Sequence, residues 1–283
     1  MSMQTDTKPH IDGGLATRTL CFSYQDKPVL KHLTLDFSHF NVTGIIGANG
    51  SGKSTLFMNL SGIYQPQEGE VWWDDEPLVY SKKGLRALRQ SVVTVFQDPD
   101  QQIFYSDVEN DIAFSLRNLG IEEAEIKRRT DWALRLVDAQ HFRHTPVQCL
   151  SFGQKKRVAI AGALVMQSDY LLLDEPTAGL DPSGRRKMLE IIEQIVAQGK
   201  RIIISSHDID LIYQICDGLY LLSDGEVLSS GSPQEVLVNK TLLESAGLEQ
   251  PWLVKLHCEA GLPLCKTEQE MIAVLRHWKE KQE

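Results

Sequence analysis

Gly47-Ala48-Asn49-Gly50-Ser51-Gly52-Lys53-Ser54-Thr55 carries the spacing G-x-x-x-x-G-K-[ST] of a phosphate-binding loop, and the rest of the chain reads outward from it. Glycines let the backbone curl into a nest whose N–H groups point at phosphate oxygens. Lys53 supplies a compact positive charge for the terminal phosphates and Ser54 a hydroxyl for Mg²⁺, while the helix expected next aims its positive end at the same place. A plain glycine-rich turn would show the same letters, so the flanks decide. Val42-Thr43-Gly44-Ile45-Ile46 reads as a buried strand, and Leu56, Leu60 and Ile63 recur at helical spacing. Strand, loop, helix is the order the motif requires.

Upstream, residues 15–40 alternate apolar and polar in two bouts, Leu15 to Tyr24 and Leu30 to Phe40, read as an antiparallel β segment turning at Asp26-Lys27-Pro28. Tyr24 closes the first bout, where an aromatic can stack on a base or simply end an edge strand. Residues 69–80 give another strand pair around Asp74-Asp75-Glu76-Pro77. Downstream, Val92 to Phe96 ends at Gln97, Tyr170 to Leu173 ends at Asp174-Glu175, and Ile202 to Ser206 ends at His207. Continuous apolar strands separated by helices indicate an α/β fold with a parallel sheet covered on both faces.

Ligands of an open parallel sheet bind at the carboxyl ends of its strands. The loop at 47–55, Gln97, Asp174, Glu175 and His207 are therefore expected in one pocket. Asp174 and Glu175 suit a Mg²⁺ carboxylate beside a group that polarises water, although a strand-ending turn uses the same letters. His207 is placed to reach a terminal phosphate, or to pack or cap. Between Gln97 and Tyr170 the pattern turns helical, over 108–119, 123–137 and 151–166, a helical insertion in the sheet domain. Ser151 and Gln154 have capping-box spacing, and a capped helix start holding Gly153 is also an anion site. Asp181-Pro182 opens a helix closed at Gly199, Asp224-Gly225 turns a hairpin, and Ser232 with Glu235 caps another helix. From residue 240 the chain is helical again, broken at Pro251, with a last helix capped by Thr267 and Glu270.

Composition narrows the function. The chain has 283 residues and a net charge of −9, so its overall field does not attract nucleic acid. The basic runs Lys82–Arg89, Lys127–Arg129 and Lys155–Arg157 read as solvated helix faces. The 5 cysteines form no C-x-x-C pair, which fits a reduced, cytosolic setting. His257, Cys258 and Cys265 match no zinc spacing and read as packing residues. No apolar run spans a bilayer, and residues 1–14 read as a loose polar tail without a signal-peptide core.

The loop at 47–55, Gln97, Leu150-Ser151-Phe152-Gly153-Gln154, Leu171-Leu172-Leu173-Asp174-Glu175-Pro176, Ala178-Gly179-Leu180-Asp181 and His207 occur in the order found in ATP-binding-cassette (ABC) ATPases. The resemblance covers about residues 15–235. It implies a P-loop NTPase (RecA-like) parallel sheet with an antiparallel β subdomain and an inserted ABC helical subdomain. Residues 15–97 and 166–238 would form the catalytic core, 98–165 the helical subdomain and 239–283 a helical extension. ATP and Mg²⁺ are the implied cofactors. Tyr24 resembles the aromatic on adenine, and Gly47, Ala48, Asn49, Gly50, Ser51, Gly52, Lys53, Ser54 and Thr55 resemble the phosphate cradle. Ser54, Gln97 and Asp174 resemble the Mg²⁺ ligands, Glu175 the general base, and His207 the switch histidine. Gln97 would also sense the helical subdomain. Ser151, Gly153 and Gln154 resemble the signature that closes over the ATP of a second subunit, with Asp181 crossing nearby. Phe152 departs from the pattern, standing where a glycine is usual.

Asp98-Pro99-Asp100-Gln101-Gln102-Ile103-Phe104 and Lys155-Lys156-Arg157-Val158-Ala159-Ile160-Ala161 are similar to the energy-coupling-factor branch, which powers uptake of vitamins and metal ions. Residues 251–257 and 261–267 resemble the cobalt-transport ATPases of cobalamin-producing bacteria. The implied protein is an ATPase at the cytoplasmic face of a bacterial membrane. Its partners would be a second copy of itself, a transmembrane coupling subunit and a substrate-binding membrane subunit, with no nucleic acid. Alternatives are the same engine serving nickel, biotin or another substrate, a non-transport cassette protein of translation or DNA repair, and a nucleotide sensor without turnover. The acidic balance and single loop oppose the non-transport reading, and Glu175 opposes the sensor.

Overall fold

In the computed structural model, which describes residues 14–280, the first alternating stretch forms the antiparallel pair β1 (Leu15–Tyr24) and β2 (Lys27–Asp36). The tail expected at 1–14 lies outside the described residues except Gly14, which is buried and accepts a hydrogen bond from Asp74 N at 3.3 Å. The turn differs from the sequence reading. Lys27 and Pro28 already pair with Tyr24 and Ser23, because Gln25 adopts φ 53° and closes the hairpin with Asp26. Proline is tolerated there because β2 is an edge strand. The strand also stops at Asp36, short of Phe40.

β3 (Val42–Ile46) is buried throughout and runs into the loop, after which comes α1 (Lys53–Leu60). Ile63 lies outside this helix and is exposed, since Gly62 turns the chain with φ 66°. β4 (Glu68–Trp73) pairs with β1, and β5 (Glu76–Pro77) is only a short edge. Ser81 caps α2 (Lys82–Ser91), which leads into β6 (Val92–Val95). The helical insertion consists of α3 (Val108–Asn118), α4 (Glu123–Leu136) and α5 (Phe152–Leu164). The core returns with β7 (Tyr170–Asp174), α6 (Pro182–Val196), β8 (Arg201–Ser205), α7 (Ile209–Ile215), β9 (Gly218–Ser223) and β10 (Glu226–Gly231). The remaining helices are α8 (Pro233–Leu237), α9 (Lys240–Ser245), α10 (Trp252–Ala260) and α11 (Glu268–Glu280). No helix among the described residues is long and apolar enough to cross a membrane.

The antiparallel sheet has the order β2-β1-β4-β5, and the main sheet β10-β9-β3-β8-β7-β6, parallel except for the β9–β10 hairpin. Side chains of its central strands alternate between two cores. Leu172, Ile203 and Ile45 join Leu20, Leu33 and Leu56 beneath the antiparallel sheet. Leu171, Leu173, Ile202 and Ile204 join α5, α6, α7 and the tail, including Leu253, Val254 and Met271. This two-sided burial is why those strands read as continuous apolar runs rather than alternating ones. It also aligns the carboxyl ends of β3, β6, β7 and β8 along one edge, with Asp174 beside Ser205 in register.

Gly44 shows how tight the packing of β3 is. A Cβ there would lie 2.4 Å from Leu219 Cδ2 and 2.9 Å from Cys216 Sγ. Gly44→Val is expected to cost about 1–3 kcal/mol in stability, as overpacking of a filled core does. Urea unfolding checks this, and an unchanged midpoint would show that α7 and β9 yield freely.

Candidate functional site

The sheet edge opens into a cavity of about 750 Å³ that brings together Tyr24, Asn49, Gly50, Gly52, Lys53, Ser54, Thr55, Gln97, Asp174, Glu175 and His207. Gly47 and Ala48 lie behind it, in an adjoining cavity shared with residues 247–250 of the tail. The loop's shape requires glycine. A Cβ at Gly47 would stand 2.3 Å from Leu222 O, and Gly52 caps α1 at φ 103°. Ser51 Oγ is buried without a protein partner.

Lys53 is buried, and its ammonium donates to Gly47 O at 2.7 Å and Ala48 O at 3.1 Å. Burial holds its pKa below the ordinary lysine value, with Glu175 and Asp174 opposing the shift. Asp174 accepts a 2.5 Å hydrogen bond from Ser205 Oγ. Glu175 has φ 47°, and its N–H is held by Ser205 O at 3.1 Å and Ser205 Oγ at 3.2 Å. Its Oε2 lies 2.8 Å from His207 Nδ1 and accepts from Ser206 Oγ at 3.4 Å. Tyr24 is half-exposed, packs edge-on against Phe22 and Tyr64, and reaches Thr55 Oγ1 at 3.4 Å.

Ser151, Gly153, Gln154 and Asp181 line a different cavity, of about 550 Å³. Ser151 Oγ accepts from Gln154 N at 3.3 Å while Ser151 N donates to Gln154 Oε1 at 2.8 Å, and Asp181 accepts from Gly184 N at 2.7 Å. Both segments are thus helix caps within their own chain. They share no cavity with Lys53.

Two features were missed in the sequence. The hydroxyls of Ser205 and Ser206 orient the carboxylates, and the strand ending Ser-Ser-His beside the strand ending Asp-Glu is the signal that could have found them. The run Lys155–Arg157 is not a solvated face. Lys156 is 3% exposed and donates to Glu175 O at 2.7 Å and Pro176 O at 3.2 Å. Lys155 reaches Asp100 Oδ1 at 2.7 Å, and Arg157 reaches Asp138 O at 2.7 Å. A charge-run reading fails because the run opens α5 at the junction of three elements. In the tail, Cys265 is buried and His257 Nδ1 lies 2.7 Å from Leu262 O. The donor trio that does converge among the described residues is Cys21, His32 and Glu68, on the antiparallel sheet.

The family described as ABC transporter matches residues 30–178. The cobalt import ATP-binding protein CbiO of Salmonella paratyphi A is 69% identical over 256 residues, 90% of this chain and 94% of that protein. The energy-coupling factor transporter ATP-binding protein EcfA2 of Clostridium perfringens is 42% identical over 239 residues, 84% of each. Among solved structures, cbiO1 of Clostridium perfringens, part of the ABC transporter complex cbiONQ, has a TM-score of 0.75 at 42% identity, covering 87% of this chain and 98% of that one.

The buried Lys156 gives a pH signature. Burial lowers its pKa from 10.5 to about 8, against the pull of Glu175, Asp174 and Asp98. The unfolded chain keeps the higher value, so between the two it binds more protons and the lysine's effect on stability improves as pH rises. In the nucleotide-free protein, wild type should gain on Lys156→Met from pH 8 to above 10, by up to about 3 kcal/mol. Urea titrations across that range test it, and a pH-independent gap would contradict the buried charge.

Proposed function

The chain belongs to the ABC transporter family and is an ATPase subunit, and from that premise we propose that it energises cobalt-ion import through an energy-coupling-factor complex. The observation that carries the catalytic half is the convergence of Lys53, Ser54, Gln97, Asp174, Glu175 and His207 in one cavity at the sheet edge. The cobalt half is supported by the relative at 69% identity named for cobalt import, and by the solved relative described as part of cbiONQ. The same resemblance disfavours the roles in translation or DNA repair weighed from the sequence.

In this reading the phosphates of ATP sit in the glycine nest, with Lys53 against the β and γ groups and Tyr24 against the adenine. The buried, unpartnered Ser51 Oγ and the inward-facing loop fit an anionic guest. Ser54, Gln97 and Asp174 are hard oxygen donors that suit Mg²⁺. When bound, that ion would offset the charge of the phosphates. Glu175 takes the proton of the attacking water. His207, in its Nδ1–H form, and Ser206 hold one carboxylate oxygen in place. Gln97 lies between β6 and the helical insertion, so it reports the state of the γ-phosphate to that insertion.

Ser151, Gly153, Gln154 and Asp181 are assigned to the ATP of a second copy, because within one chain they face another cavity. A two-fold dimer then has two equivalent composite sites. The ATPase pair would dock on a transmembrane coupling subunit and a substrate-binding membrane subunit, peripheral to the membrane.

A Glu175→Gln replacement in the cell should abolish high-affinity cobalt uptake while nickel and biotin uptake persist. The purified variant should keep ATP affinity and lose roughly 10²–10⁴ in hydrolysis rate. Isotope uptake with unchanged cobalt and reduced nickel or biotin would overturn the substrate. Hydrolysis within a few fold of wild type would remove Glu175 from its role.

Lys53→Ala and Ser151→Arg should each be inactive alone. An equal mixture should recover about a quarter of wild-type hydrolysis, since half the dimers are mixed and each keeps one intact site of two. Subunit exchange and ATP-dependent dimerisation are followed in the same sample. If neither activity nor dimerisation returns while subunits exchange, the composite site is wrong.

A further inference from the structure

Glu175 occupies a backbone conformation that non-glycine residues hold only when their surroundings enforce it, at a cost of about 1–3 kcal/mol. On its N-terminal side the enforcement comes from β8, through Ser205 O and Ser205 Oγ. On its C-terminal side it comes from outside the sheet. The ammonium of Lys156 binds the carbonyls of Glu175 and Pro176, so the peptide planes on both sides of the Glu175 Cα are clamped. A charged donor binds a carbonyl about twice as strongly as a neutral one, and at 3% exposure no solvent competes for it.

Lys156 belongs to α5, whose N-cap is Ser151. The Phe152 ring covers this junction, with Lys156 Nζ 5.3 Å from its centroid and the ring packed over Gly179. Lys155 on the same turn bonds Asp100, just beyond Gln97. One helical turn therefore ties the signature segment to the strand end that carries the candidate base.

We propose that Lys156 is a positioning residue for ATP hydrolysis, holding the main chain of Glu175 so that its carboxylate keeps its place. It thereby makes the signature helix part of the mounting of the base in its own chain. The inference rests on the reading of Glu175 as the general base. A signature closed over one nucleotide then steadies the base that acts on the other, without any side chain passing between the two cavities.

The test compares purified wild type, Lys156→Met, Lys156→Arg and Glu175→Gln. ATP affinity is measured with a fluorescent nucleotide, turnover by phosphate release, and folding by circular dichroism. Methionine matches lysine in length but cannot donate. Lys156→Met should bind ATP within about twofold of wild type and lose roughly 10- to 100-fold in kcat, the scale of a small misplacement at a reacting centre. Lys156→Arg, which keeps charge and donors, should recover more turnover than methionine does. If Lys156→Met does not fold, Lys156→Gln is read by the same split between affinity and kcat. Unchanged kcat, an equal loss of affinity and kcat, or an arginine variant no better than methionine would each overturn the proposal. An active Glu175→Gln would instead strike the base assignment and take this proposal with it. An inactive Glu175→Gln beside a fully active Lys156→Met would defeat the proposal alone.

Discussion

Two buried lysines and two buried carboxylates share the edge of the parallel sheet, and the arrangement of the site follows from having to satisfy all four. Lys53, Lys156, Asp174 and Glu175 are each less than 9% exposed. Unpaired charge at that depth costs several kcal/mol, so opposite signs must balance and every polar atom needs a partner. Balance is reached without collapse into direct ion pairs. Lys53 bonds loop carbonyls, Lys156 bonds carbonyls after β7, Asp174 takes a serine hydroxyl, and Glu175 takes a serine and His207. The lysines are thus directed by backbone carbonyls and the carboxylates by side-chain donors. Such preorganisation allows a site to stabilise changing charge without first rearranging.

Most of this fold can be read from the chain because its strands are either plainly alternating or plainly continuous. β3, β7 and β8 follow from unbroken apolar runs, and the residue at each carboxyl end named the cavity. The caps at Ser151, Asp181 and Ser232 follow from local hydrogen-bond chemistry that needs no tertiary information. The misreadings have two causes. Pro28 in β2 and Ile63 beyond α1 follow from left-handed turns at Gln25 and Gly62, whereas Lys156 in the core is set by carbonyls distant in sequence. A run of Lys-Lys-Arg looks solvated from its own composition. Only the placement of α5 against β7 shows that the middle lysine points inward while its neighbours reach sideways.

The sequence reading assigns the signature to the ATP of a second subunit, apart from the loop of its own chain. The signature serine and the loop lysine belong to one motif set, yet they line separate cavities. Their helix-capping bonds do not conflict with a second role. A cap leaves the positive end of the helix available, so the geometry that stabilises α5 is compatible with the proposed anion site for a second copy. Capping explains why Ser151 and Gln154 have their spacing, and a partner's phosphate would explain why Ser151 is exposed.

Phe152 tests how much of the signature's usual glycine is needed. Its ring folds back over Gly179, where φ is 75° and an added Cβ would lie 3.0 Å from the ring. Bulk at one position is therefore matched by its absence at the other. The ring packs within its own chain, beside Lys156, while Ser151 keeps its capping geometry and Gly153 remains at the first turn of α5. The aromatic thus adds cover to the buried ammonium, which a glycine could not supply. At this position the departure from the family pattern packs against Lys156 and Gly179 and leaves the cap of α5 intact.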